Sequence, residues 1–226
     1  MVGLSSLTET RSSHVRTRRF VRRWGQFPAV LVVVVASVCA GGVPKAFAFG
    51  SALPCTSRDT SAAFSRWLDP AQYFLAANGG FEQGSNEWNL SAGAAVVSGN
   101  ESYQVSGPTD SHSLVLSTGA TAEARTACVT LGEPTVRLFV KAPRVLGATL
   151  RIDATVRNPT TGLTLQTSYL VLGGLAPSGW APTPEIVIAN LVGGVLPEDL
   201  TLRFTAQGTP ATWGVDDVYV DPYKQR

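Results

Sequence analysis

Charge is scarce in this 226-residue chain: only 15% of residues are Asp, Glu, Lys or Arg, which argues against long salt-bridged helices. Two histidines and three cysteines leave no zinc-type Cys/His set, and the chain has no P-loop, Rossmann glycine fingerprint or G-x-S-x-G elbow. Cofactor enzymes are thereby disfavoured. A Ser-His-Asp arrangement would have to run through His112, in the loop-like run Asp110-Ser111-His112-Ser113. The fifteen acids beyond residue 48 make some glycosidase-like carboxylate pair inevitable by chance, so acid pairs carry no argument for hydrolysis. No apolar run reaches the roughly 20 residues that a spanning helix requires.

The formal net charge of +2 hides an asymmetry. Seven of the 18 basic residues and one of the 16 acidic ones fall in residues 1–48, leaving 11 basic against 15 acidic beyond. The basic character thus belongs to the N-terminal segment, and the remainder has no Lys/Arg cluster of the kind nucleic-acid binding needs. That segment reads as an export signal over residues 1–48. An Arg-rich stretch ends at Arg22-Arg23, an apolar core covers residues 29–40, and Ala46-Phe47-Ala48 supplies small residues for a signal peptidase. The same pattern also suits an uncleaved N-terminal anchor, the one way this chain would touch a membrane, and either reading places the rest outside the cytoplasm. Cleavage after Ala48 leaves Cys55 and Cys128, which have one intramolecular pairing available in an oxidising compartment, so a Cys55–Cys128 disulfide is expected.

From residue 60 to residue 73, Ala63, Phe64, Trp67 and Leu68 recur at helical spacing before Pro70, which predicts one short helix. Beyond Gly79 the pattern changes to period two and to short apolar runs separated by turn residues. The clearest case is residues 150–157, where Leu150, Ile152, Ala154 and Val156 alternate with Arg151, Asp153, Thr155 and Arg157. Further strands are expected over residues 94–98, 113–117, 135–142, 148–157, 163–172, 185–189, 200–206 and 214–220, and this spacing predicts an all-β, two-sheet sandwich. No internal repeat or long linker divides the chain. Residues 49–75 form an N-terminal extension and residues 76–226 one domain.

The β region opens with Asn78-Gly79-Gly80-Phe81-Glu82-x-Gly84-x-x-x-Trp88 and closes with Trp213-Gly214-Val215-Asp216-Asp217-Val218. This pair of motifs resembles the opening and closing of jelly-roll, galactose-binding-like domains, particularly carbohydrate-binding modules of families 4, 9 and 22. Residues 55–74, Asn100-Glu101-Ser102 and Cys128-Val129 are also similar to a group of secreted actinobacterial proteins. The resemblance implies a jelly-roll β-sandwich whose two ends are pinned together, and often a structural calcium ion there. Glu82 and Asp217 are then the candidate ligands, with Asp216 next, because calcium takes hard oxygen donors. Read without an ion, the same acids are a turn cap and two strand-end carboxylates.

For sugar recognition the resemblance asks for an aromatic platform with polar groups beside it. Trp180 is the first candidate, because residues 178–182 read as a loop; Tyr169 and Tyr103 follow, while Trp88 and Trp213 are assigned to the core. The expected function is that of a secreted, non-catalytic module binding extracellular glycan or cell-wall polysaccharide. The alternative is a structural or protein-interaction domain of the cell surface without a sugar site.

Overall fold

The computed structural model describes residues 55, 58–130, 133, 135–177, 179–188 and 197–221; the export signal lies outside the described residues. Twelve strands build two antiparallel sheets among them. In chain order they are β1 (Phe74–Leu75), β2 (Asn89–Leu90), β3 (Ala94–Ser98), β4 (His112–Ser117), β5 (Thr121–Val129), β6 (Thr135–Ala142), β7 (Ala148–Arg157), β8 (Thr164–Leu172), β9 (Gly179–Pro182), β10 (Ile186–Val187), β11 (Glu198–Gly208) and β12 (Thr212–Asp221). One sheet runs β10-β6-β12-β4-β3, with β1 beside β12 and β9 beside β6; the other runs β2-β5-β11-β7-β8. The architecture is an all-β jelly-roll sandwich.

Alternation decides which face of each strand turns inward. On β7, Leu150, Ile152, Ala154 and Val156 are fully buried, and on β11 so are Leu200, Leu202, Phe204 and Ala206. The neighbouring β5 contributes Ala122 and Ala124 opposite Phe204 and Leu202, so small residues leave room for large ones. Trp88 stacks on Phe204 with centroids 5.3 Å apart, and Trp213 is also fully buried in this core.

A second apolar cluster lies on the opposite, outer face of the seven-stranded sheet. Residues 58–73 lie across that face as a strap, where Phe64 stacks on Phe139 at 5.5 Å and meets Tyr73 and Tyr219 edge-on. Arg137 sits over the Phe64 ring at 4.2 Å and pairs with Asp69 at 2.6 Å. The helix expected here is a single 3-10 turn, Ser65–Trp67, ended by Leu68 in the left-handed region at φ 64°. Asp69 draws the chain away from a helical path: its carboxylate accepts from the Ala71 amide, the Tyr73 hydroxyl and Arg137. A disulfide joins Cys55 to Cys128 on β5, with Cα atoms 5.1 Å apart, and Arg58 donates to the Cys128 carbonyl.

The opening and closing motifs meet. The Gly79 carbonyl accepts from the Val218 amide at 3.0 Å, the Ala76 amide donates to the Val218 carbonyl at 2.8 Å, and Trp88 Nε1 donates to the Asn78 carbonyl at 3.1 Å. A Cβ on Gly79 would fall 2.7 Å from the Val218 carbonyl oxygen, so a backbone contact rather than turn geometry demands glycine. Gly79→Ala is expected to destabilise the fold by about 1–3 kcal/mol, read as a lower urea midpoint at unchanged m-value. An unchanged midpoint would mean that β12 can shift without loss.

Candidate functional site

Covering one half of the seven-stranded sheet leaves the other half open, and there the outer face forms a groove of about 420 Å³. Its floor is one cross-strand row in which Ala95, Val115, Gly214, Lys141 and Trp180 stand opposite one another on β3, β4, β12, β6 and β9. Gly214 is what admits the indole. A Cβ there would lie 2.8 Å from Trp180 Cη2, so the ring of Trp180 lies over the sheet at β12. Trp180 belongs to strand β9, paired with β6, rather than to the loop expected from Gly179 and Pro182. Its carbonyl accepts from the Tyr103 hydroxyl at 3.1 Å.

The other two aromatic candidates are placed differently. Tyr169 is 4% exposed in the core, and its hydroxyl is pushed up to about 12 by burial, so it offers no platform. Tyr103 packs edge-on against Trp67 at 4.8 Å, with Arg66 over its ring, and serves as the wall that holds Trp180. The groove also contains a polar group that the sequence does not mark as a binding residue. Asn100 follows β3 and lines the groove with its side-chain amide buried; the Asp110 carboxyl is its polar neighbour, and neither Nδ2 nor Oδ1 closes a hydrogen bond of good geometry. Such an amide is costly unless something pairs with it.

An acidic cluster adjoins the groove where the strap, the 100–112 segment and β12 meet. Asp216 is fully buried, and its oxygens accept from the Glu101 and Asp217 amides, each at 2.9 Å. Burial, then the neighbouring Asp217 charge, pushes the Asp216 carboxyl up to about 9. Asp217, at φ 48° in a break of the β12–β6 register, accepts from the Ser106 hydroxyl, and burial raises it to about 6. Asp110 is raised to about 7 by burial and by the Asp217 charge. Glu82 goes the other way. Burial opposes ionisation there, but bonds from the Ser111 and His112 amides, at 2.8 and 2.6 Å, and from their side chains bring it down to about 2.

The expected calcium trio is therefore not gathered on one point. Among the described residues no group of three or more His, Cys, Asp or Glu side chains is arranged to hold a metal ion. Glu82 is engaged with the 110–112 turn and Asp216 with two amides. The buried oxygens Asp110 Oδ2 and Asp217 Oδ2 close no hydrogen bond of good geometry, although the Asp110 carboxyl lies among Glu82, Asn100 and Asp217, and both carboxyls face Gly80. Hard oxygen donors of this kind are what a calcium ion takes, and the carboxyl beside Asp217 here is that of Asp110. Asn100 and Asp110 fall in runs that the sequence singles out for other reasons, and neither is marked there as a site residue, because both reach the site only through long-range packing.

No protein-family model and no curated protein matches the chain. Solved structures similar to it include a family 61 carbohydrate-binding module in complex with β-1,4-galactotriose, at 18% identity and TM-score 0.41, covering 64% of this chain and 95% of that one. A non-crystalline cellulose specific module of family 28 aligns at 15% identity and TM-score 0.44, covering 65% of this chain and 94% of that one. The family 22 and family 10 modules of Clostridium thermocellum xylanase 10B, complexed with xylohexaose, align at 14% identity and TM-score 0.45; 68% of this chain spans only 29% of that protein. At these identities the likeness is one of fold.

The raised carboxyls give the metal-free protein a defined pH dependence. Asp110 and Asp216 keep their protons in the folded state well above the usual aspartate value of 3.8, whereas the unfolded chain has released them. The unfolded state then binds fewer protons, so stability falls as pH rises from about 4 through about 7 and toward 9. Glu82 acts oppositely: its contribution is present above 4.5 and lost as pH falls toward 2. In EDTA the urea midpoint is expected to decrease between about pH 5 and pH 8, with Asp110→Asn flattening the lower part of that slope. A midpoint that rises over the same interval would contradict the burial of ionising carboxyls.

Proposed function

We propose that this chain is an exported, non-catalytic module that binds carbohydrate in the outer-face groove. The observation that carries this reading is the indole of Trp180 laid over Gly214 in the same groove that the side chain of Asn100 lines. A pyranose presents an apolar C–H face and a rim of hydroxyls, so it asks for a flat aromatic surface and nearby amide donors and acceptors. Asn100, with two donors and an acceptor on its side chain, is the amide that lines this groove. The groove volume lies within the range of small-ligand sites. The Cys55–Cys128 disulfide supports an oxidising, extracytoplasmic setting.

The test is a glycan array and a cell-wall pull-down with the full-length protein, beside Trp180→Ala and Asn100→Ala. Saturable binding that weakens about tenfold or more in each variant, with the thermal transition intact, supports the groove. Absence of binding to any glycan by the folded protein would overturn it and favour a structural or protein-interaction domain of the cell surface.

The same reading places calcium at Asp110 and Asp217, beside Asn100, where it supplies counter-charge to two buried carboxylates and stiffens the segment that carries the amide. Adding calcium to EDTA-treated protein at 100 times its Kd should then stabilise the fold by about 2.7 kcal/mol, read as a rise in Tm. Asp217→Asn should abolish that rise. An equal rise in the variant would place the ion elsewhere.

A further inference from the structure

The groove carries a single charge, and it is positive. Lys141 is the only charged side chain among the residues lining it and the only lysine among the described residues. Most arginines of the domain are engaged. Arg58 pairs with Glu133, Arg137 with Asp69, Arg151 with Asp153 and Arg203 with Glu123, while Arg66 lies over Trp67 and Tyr103. Lys141 has no such partner among the described residues; it is exposed, in the floor row between Gly214 and Trp180. Arg144, exposed and likewise without an ion pair, follows Ala142 and Pro143 at the same rim. Beyond residue 48 the chain has four more acids than bases, so this open cationic spot runs against the sign of the domain around it.

We infer that the groove selects an anionic glycan, one whose sugar or linkage carries a carboxylate or phosphate that pairs with Lys141 while the ring lies against Trp180. The inference rests on the carbohydrate reading of the same groove and adds the charge of the ligand. Its physical basis is that a charge in a partly enclosed site discriminates by sign: an anion of the ligand finds its partner, and a cationic sugar meets repulsion. A neutral glycan offers the ammonium group only hydroxyl acceptors, which repay its lost hydration less than a carboxylate or phosphate does. Lys141 is replaceable without disturbing the fold, since the structure gives it no ion pair to break.

Full-length protein, Lys141→Gln and Lys141→Arg are titrated with four polymers: polygalacturonate, the same polymer after reduction of its carboxyls, a phosphomannan and neutral β-1,4-galactan. The expected result is that at least one of the two anionic polymers binds more tightly than both neutral ones. That binding should fall about fivefold in Lys141→Gln, recover in Lys141→Arg and weaken as salt is raised. Binding of polygalacturonate identifies a carboxylate as the partner, and binding of the phosphomannan a phosphate. If the neutral polymers bind as well as the anionic ones and Lys141→Gln changes neither, the charge inference is overturned and the carbohydrate reading stands. If the folded protein binds none of the four, or any other glycan, both readings fall together.

Discussion

Burial of β12 on both faces is the constraint from which the rest of this molecule follows. Its inner side chains Val215, Val218 and Val220 enter the main core, as in any sandwich strand. Its outer face lies under the strap at Tyr219, where Phe64, Tyr73 and Phe139 form a second apolar layer. A strand covered twice cannot hydrate the polar groups it carries, so Asp216, Asp217 and Asp221 are all fully buried. Asp216 is accordingly satisfied by backbone amides and held in its neutral form. Gly214 stands just before the covered stretch. With no side chain of its own, it turns the uncovered end of β12 into the floor under Trp180.

Much of this was legible in the sequence, and the parts that were not have a common cause. The strands over residues 94–98, 135–142 and 148–157 stand where apolar periodicity placed them, because each presents β-branched or large apolar side chains to one face. Strand β5 gives almost no such signal. Its inward residues are Ala122, Ala124, Ala127 and Val129, and alanine has weak strand propensity; the strand exists because Phe204 and Leu202 across from it need small neighbours. Strand β9 is hidden by Gly179 and Pro182, which read as turn residues but pair with Ala142 and Phe139 at the edge of the sheet. The apolar spacing around Phe64 and Trp67 looked helical although it serves a strap, because the partners that fix it, Arg137 and Phe139, lie some 70 residues away.

The site divides in the same way. Trp180, which lines the groove, is singled out in the sequence because aromatic side chains between turn residues stand out, and the meeting of the Asn78–Trp88 and Trp213–Val218 motifs follows from their resemblance to one fold. Asn100 and Lys141 carry no local mark of a site. An asparagine after a glycine and a lysine near a strand end read as ordinary surface residues until the fold brings them to one groove. Tyr169 shows the converse: its alternation on β8 was compatible with either face, and the pairing of β8 with β7 puts it opposite Ile152, on the buried side.

The acidic cluster and the groove are one construction rather than two neighbours. Asp216 accepts from the Glu101 amide and so fixes the backbone one residue beyond Asn100. The Glu101 carboxylate then accepts from the Tyr103 and Val105 amides, which closes the turn that carries the Tyr103 ring. The Tyr103 hydroxyl, in turn, donates to the Trp180 carbonyl. Hydrogen bonds thus link a buried aspartate on the closing motif to the backbone beside Asn100 and, through the Glu101–Tyr103 turn, to the backbone of Trp180. Buried polar networks of this kind are costly unless every member is satisfied, and when satisfied they hold side chains in one geometry. The raised acids are therefore the structural condition for a groove whose polar and aromatic groups are already in place before any ligand arrives, which spares binding the entropy of ordering them.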